Sequence, residues 1–136
     1  MHLIFCVDER YGLSFCGKRL SRDQELTAHM LRMTSESKLW VHPYSVSLFP
    51  ADYVCVDADY FDKAGPDDYC FVEKGPFPQA WDDVKSVILY RWNRAYPSTE
   101  KLACELFETM KLVSTEEFTG KSHEKITREI YVRRTK

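Results

Sequence analysis

Three short stretches of the chain hold residue types that could do chemistry. The first gathers Asp8, Glu9, Arg10, Lys18, Arg19, Arg22 and Asp23 within sixteen residues. It follows the first apolar run and leads into a helix start. A loop leaving the carboxyl end of an early strand is a common ligand position in α/β folds. A helix start adds free N–H donors and a positive dipole end. Arg10, Arg19 and Arg22 could grip phosphate or carboxylate there. The second stretch is Gly120-Lys121-Ser122-His123-Glu124. His123 is the residue type suited to moving a proton near neutral pH, with Glu124 or Asp8 to orient it and Ser122 to touch a ligand. The GKS tripeptide is not a phosphate loop, because Thr115 stands where the leading glycine is needed and no strand runs into it. The third is Arg91-Trp92-Asn93-Arg94, at the end of a strong strand pattern. Arg91, Asn93 and Arg94 with an indole could hold an anion or a planar base. Each stretch also has a plain structural reading: a salt-bridged polar loop, a helix cap with a surface histidine, a core tryptophan flanked by paired arginines.

Metal chemistry finds little support. His2, His29, His42 and His123 are far apart and make no His-x-His or His-Glu-x-x-His spacing. Asp57, Asp59, Asp62, Asp67 and Asp68 lack calcium-loop spacing and read as solvated surface. No metal site and no cofactor is therefore expected. Cys6, Cys16, Cys55, Cys70 and Cys104 are odd in number and form no Cys-x-x-Cys, which fits free thiols in a reducing cytoplasm. Cys16 beside Lys18 and Arg19 is the one candidate for a reactive thiol.

These residues need elements to position them. HLIFCVD (2–8) reads as a buried strand, followed by a connection with Gly12 and Gly17 as turn residues. Ser21 with Gln24 fits a capping box, which starts a helix over about 22–34 with Leu26, Met30 and Met33 on one face. Strands are expected over 39–42, 53–57, 69–73 and, most clearly, Val84–Trp92. Residues 101–106 fit a helix or a strand, and the strand is slightly favoured; 110–115 reads as a strand. After Gly120, either Ser122 caps a short helix running to about Tyr131, or ITREIYV is an edge strand. The fold class expected is α/β or α+β: one domain spanning 1–136, a mixed sheet of about five to seven strands, one main helix packed on it and a short C-terminal helix as an option.

Length and charge bound the rest. A chain of 136 residues with 44% hydrophobic and 29% charged residues has the composition of one globular domain. It has no apolar run long enough for a membrane span and no secretory leader pattern. The net charge of −2 hides an uneven spread: +1 over 1–50, −7 over 51–83 and +4 over 84–136. Grouped arginines can mark an anion-binding surface, while a sequence pI near 6.1 argues against an obligate nucleic-acid binder.

The patches CVDERYGLSF, GKRLSRD, KLWVHPYS, DKAGPDDYCFVE, ILYRWNRAYP and KLVSTEEFTGKSHEKIT together resemble a family of short bacterial proteins, some of which carry the label "ribonuclease Z". The resemblance covers most of the chain and implies a bacterial cytoplasmic protein without a known activity. The label's own chemistry does not transfer. Its two-zinc site begins with His-x-His-x-Asp-His, which this sequence lacks, so no zinc ligand is carried over. Three functions follow as expectations: a binder of a small anion or nucleotide at an arginine-lined site, a metal-independent phosphoester hydrolase or nuclease using His123, and an interaction module forming a homodimer.

Overall fold

The computed structural model describes residues 1–75, 77–78 and 81–134. Ten strands and two α-helices follow in chain order: β1 (His2–Val7), β2 (Gly12–Phe15), β3 (Lys18–Arg19), α1 (Gln24–Met33), β4 (Leu39–Val41), β5 (Cys55–Val56), α2 (Tyr60–Lys63), β6 (Tyr69–Phe71), β7 (Ser86–Arg91), β8 (Glu100–Lys101), β9 (Met110–Phe118) and β10 (Ile126–Arg133). Short 3-10 helices cover Pro43–Leu48, Ala51–Tyr53 and Cys104–Thr109.

Seven strands form one mixed sheet in the order β5-β4-β6-β1-β7-β10-β9. The five from β5 to β7 run parallel, and β10 and β9 turn antiparallel at the far edge. Parallel strands are covered on both faces, so β1 and β7 read as near-continuous apolar runs. Alternation sends Leu3, Phe5 and Val7 to one face with Val87 and Leu89. Ile4 goes to the other face, where Ile88 and Tyr90 meet Leu26 and Met30 of α1. The α/β class, the seven-stranded mixed sheet and the single main helix agree with the sequence. Among the described residues no helix is long and apolar enough to cross a membrane.

Four expectations need correction. Asp23, not Ser21, caps α1: its carboxylate accepts from Glu25 N and Leu26 N, and the helix starts at Gln24. An ionised carboxylate is the stronger acceptor at a helix start, and the Ser21 hydroxyl is engaged by His123 instead. The slightly favoured strand over 101–106 shrinks to β8, after which a 3-10 helix runs to Thr109. That turn places Leu106 and Phe107 against the core face that Leu102 already fills. No C-terminal helix forms among the described residues. Gly120 to Lys125 turn a β9–β10 hairpin: Asp23 accepts from Ser122 N and Oγ and holds the turn, and the residues from Ile126 pair with β9 instead of coiling. Nor is β10 an edge, since it lies between β7 and β9. Finally, Gly12 lies inside β2, where a Cβ would sit 2.8 Å from that of Ser98; the turn is made by Cys16 and Gly17, both with positive φ. Two such residues in a row match the two-residue turn of a twisted hairpin.

Candidate functional site

The carboxyl ends of β1, β4, β6 and β7 open toward one edge of the sheet, and the loops that follow them meet there. The anchor is Asp23, whose side chain is fully buried. Its Oδ1 accepts from Glu25 N (2.9 Å) and Lys121 N (2.9 Å); its Oδ2 accepts from Ser122 N (2.8 Å), Ser122 Oγ (3.1 Å) and His123 Nδ1 (2.9 Å). Burial alone would raise its pKa. The donors from Lys121, His123, Ser122 and Glu25 outweigh it and hold the carboxyl well below the usual carboxylate range. One charge thus caps α1 and clamps the β9–β10 turn.

His123 is buried beneath that clamp. Its ring stacks on Trp92, with centroids 4.6 Å apart and planes at 28°. Its Nε2 lies 3.0 Å from Ser21 Oγ and 3.1 Å from the Tyr96 hydroxyl. Asp8 organises the neighbouring loop in the same way. Its oxygens accept from the amides of Arg10, Gly12 and Tyr96 at 2.7 to 3.0 Å. Burial opposes its ionisation, but those amides win and its pKa is lowered.

The three stretches singled out in the sequence therefore converge. Glu9 N donates to Arg94 O, Tyr96 N to Asp8, and the 121–123 segment to Asp23. Their side chains divide differently from expectation. His123 meets Asp23, Ser21 and Tyr96 rather than Glu124 or Asp8; Glu124 is exposed. Arg19 forks onto Glu73 through Nε (2.8 Å) and Nη2 (2.9 Å) and lies over the Tyr44 ring. The Glu73 hydrogen bond holds its charge and raises its pKa against the burial penalty. Arg91 pairs with Glu129 and reaches the Tyr11 hydroxyl. Asn93 ties Lys125 O and Thr127 Oγ1. Arg94 touches Ser122 O at 3.4 Å, while Arg10 and Arg22 are exposed. The sequence gives no sign of Ser21 as a partner of His123 beyond the Ser21-x-Asp23 spacing. Tyr96 and Tyr44 carry no sequence signal at all.

Two hollows adjoin this cluster. A narrow, partly open hollow of about 20 Å³ lies beside Cys6, Arg19, Ser21 and Glu73. Burial pushes the Cys6 thiol up, so it is a neutral wall. An open cleft of about 360 Å³ lies between α1 and the 3-10 helix Pro43–Leu48, lined by Arg22, Gln24, Thr27, Ser47, Lys121 and Ser122 among others. Among the described residues no three His, Cys, Asp or Glu side chains gather as a metal site. In the acidic middle segment Asp57 pairs with Lys63, Asp67 with Lys85, Asp68 accepts from Gly65 N and Trp40 Nε1, and Glu73 pairs with Arg19.

No family model and no curated protein matches the chain. Solved structures do. One is a dihydrofolate reductase from Enterococcus faecalis complexed with NADP(H) and RAB-propyl, at 12% sequence identity and a TM-score of 0.68, covering 98% of this chain and 96% of that one. At that identity the likeness concerns architecture alone, and on it the chain has a dihydrofolate reductase-like fold.

Proposed function

We infer that the chain binds a small anionic ligand, a phosphate-bearing molecule or a carboxylate up to the size of a mononucleotide, in the cleft between α1 and Pro43–Leu48. The observation that carries this reading is the cleft itself. Its 360 Å³ falls within the range of small-molecule pockets, roughly 300–1,000 Å³. Arg22 and Lys121 supply cations at its wall, and Lys121 Nζ is held by the Gln24 amide (2.8 Å) rather than by a carboxylate. The one carboxylate in the wall, Asp23, has its oxygens occupied by protein donors. The position beyond the carboxyl ends of parallel strands is where open α/β sheets hold ligands, and the Enterococcus protein of similar fold is complexed with two small molecules.

A nicotinamide dinucleotide fits these residues poorly. The sequence has no Gly-x-Gly-x-x-Gly turn. The Arg19–Glu73 pair, with Arg19 and Lys74 against the Tyr44 ring, narrows the edge beside β6 to a space of about 20 Å³.

Calorimetry with inorganic phosphate, a nucleoside monophosphate and a dicarboxylate tests the reading. One of them should bind saturably, with affinity that falls as salt rises. The double variant Arg22→Ala/Lys121→Ala should weaken it by about tenfold or more, roughly 1.4 kcal/mol. Absence of binding by all three, or full affinity in the double variant, overturns it.

A further inference from the structure

We propose that Ser21 is a nucleophile, activated by His123 and positioned through Asp23, and that the carboxyl edge of the sheet carries an acyl-transfer site for small carboxylic esters. The chain of contacts has the order such a site needs. Ser21 Oγ lies 3.0 Å from His123 Nε2, and His123 Nδ1 lies 2.9 Å from Asp23 Oδ2. A carboxylate on Nδ1 places the ring proton there and leaves the Nε2 lone pair facing the hydroxyl. The ring has little freedom to leave that orientation: Trp92 stacks on it and Asp23 is itself fixed by amides of Glu25, Lys121 and Ser122. The Tyr96 hydroxyl, 3.1 Å from the same nitrogen, shares that lone pair, so only one of the two hydroxyls donates to it at a time.

Ser21 is also free of the duty its position suggests. Asp23 caps α1, so the serine hydroxyl is not needed by the helix amides. Ser21 is partly exposed and lines the small space beside Cys6 and Arg19. Arg22, Asp23, Thr27 and Leu48 line both that space and the larger cleft, so the body of an ester would lie in the cleft with its carbonyl toward Ser21.

The chemistry balances without a metal or cofactor. Ser21 Oγ bonds to the ester carbonyl carbon while its proton passes to His123 Nε2. The ester C–O bond breaks, and the alkoxide leaves with that proton. Water then gives a proton to Nε2 and attacks the acyl-serine, and the serine oxygen recovers the proton as the carboxylic acid departs. Asp23 is a positioning residue throughout.

The test is covalent labelling of the full chain with a fluorophosphonate. The Ser21 Oγ–P bond forms, the P–F bond breaks, and the proton goes to Nε2. Intact mass and peptide mapping should show one adduct, on Ser21, that disappears in Ser21→Ala. His123→Gln should slow labelling by about 10²- to 10⁴-fold. That variant removes a buried hydrogen bond, so a second arm avoids it: Ser21→Cys should alkylate with iodoacetamide at position 21 at least about tenfold faster than at exposed Cys16, because an imidazole favours the thiolate. No adduct on Ser21, or an introduced thiol no faster than that of Cys16, overturns the proposal. The anion-binding reading is judged separately. A chain that binds phosphate without labelling loses only the nucleophile, and one that labels without binding phosphate loses only the anion site.

Discussion

At position 23 one carboxylate does the work of several residues. It caps α1, holds the amides of Lys121 and Ser122, and orients His123. Removing a buried acceptor leaves its donors unsatisfied, at about 1–3 kcal/mol. Asp23→Asn should lower the urea midpoint by that amount of stability with an unchanged m-value. Arg19 has a parallel place at the sheet edge. Glu73, with 8% of its side chain exposed, depends on the guanidinium fork. Arg19→Ala should destabilise by about 3 kcal/mol in urea, and Arg19→Lys should recover only part, since an ammonium cannot make both contacts. At this scale the sequence marks the right neighbourhoods. Arg19, Asp23 and His123 stand out by type, but their partners do not. Ser21 and Asp23 lie about a hundred residues from His123, and no local pattern encodes such a pairing.

Among the elements, those built on uninterrupted apolar runs are legible. β1 and β7 are buried on both faces and show it along most of their length. α1 shows its face through Leu26 and Met30, while its cap is ambiguous because both Ser21 and Asp23 suit a helix start. The C-terminal third is ambiguous for a physical reason. ITREIYV carries apolar residues at spacings that suit a helix or a strand, and only pairing to β7 and β9 decides. The turn between β9 and β10 rests on Gly120. A Cβ there would lie 2.7 Å from Asp23 Oδ2 and 2.9 Å from the His123 carbonyl oxygen. Gly120→Ala should therefore cost about 1–3 kcal/mol and shift the His123 ring resonances, while a Gly65→Ala control should leave those resonances in place.

For the whole molecule, the segments of opposite charge are joined across the sheet edge by Arg19 and Glu73, and two buried aspartates contribute to the acid dependence of stability. Asp8 and Asp23 both have folded pKa values below the unfolded value, which is about 3.9. Their contribution is present in full above that pH and is lost as pH falls toward the folded values. Urea midpoints should decline most below about pH 4, and Asp23→Asn should flatten that decline. The architecture is legible from the order of apolar runs; the cleft is not, since its walls come from α1, the Pro43–Leu48 turn and the β9–β10 turn. Anion binding in the cleft is read most directly by a backbone amide NMR titration with phosphate and a nucleoside monophosphate. Gln24, Thr27, Ser47, Lys121 and Ser122 should shift together and saturate with one constant, and Arg22→Ala/Lys121→Ala should abolish the shifts. Saturating shifts confined to residues outside this cleft, or none at all, would contradict it.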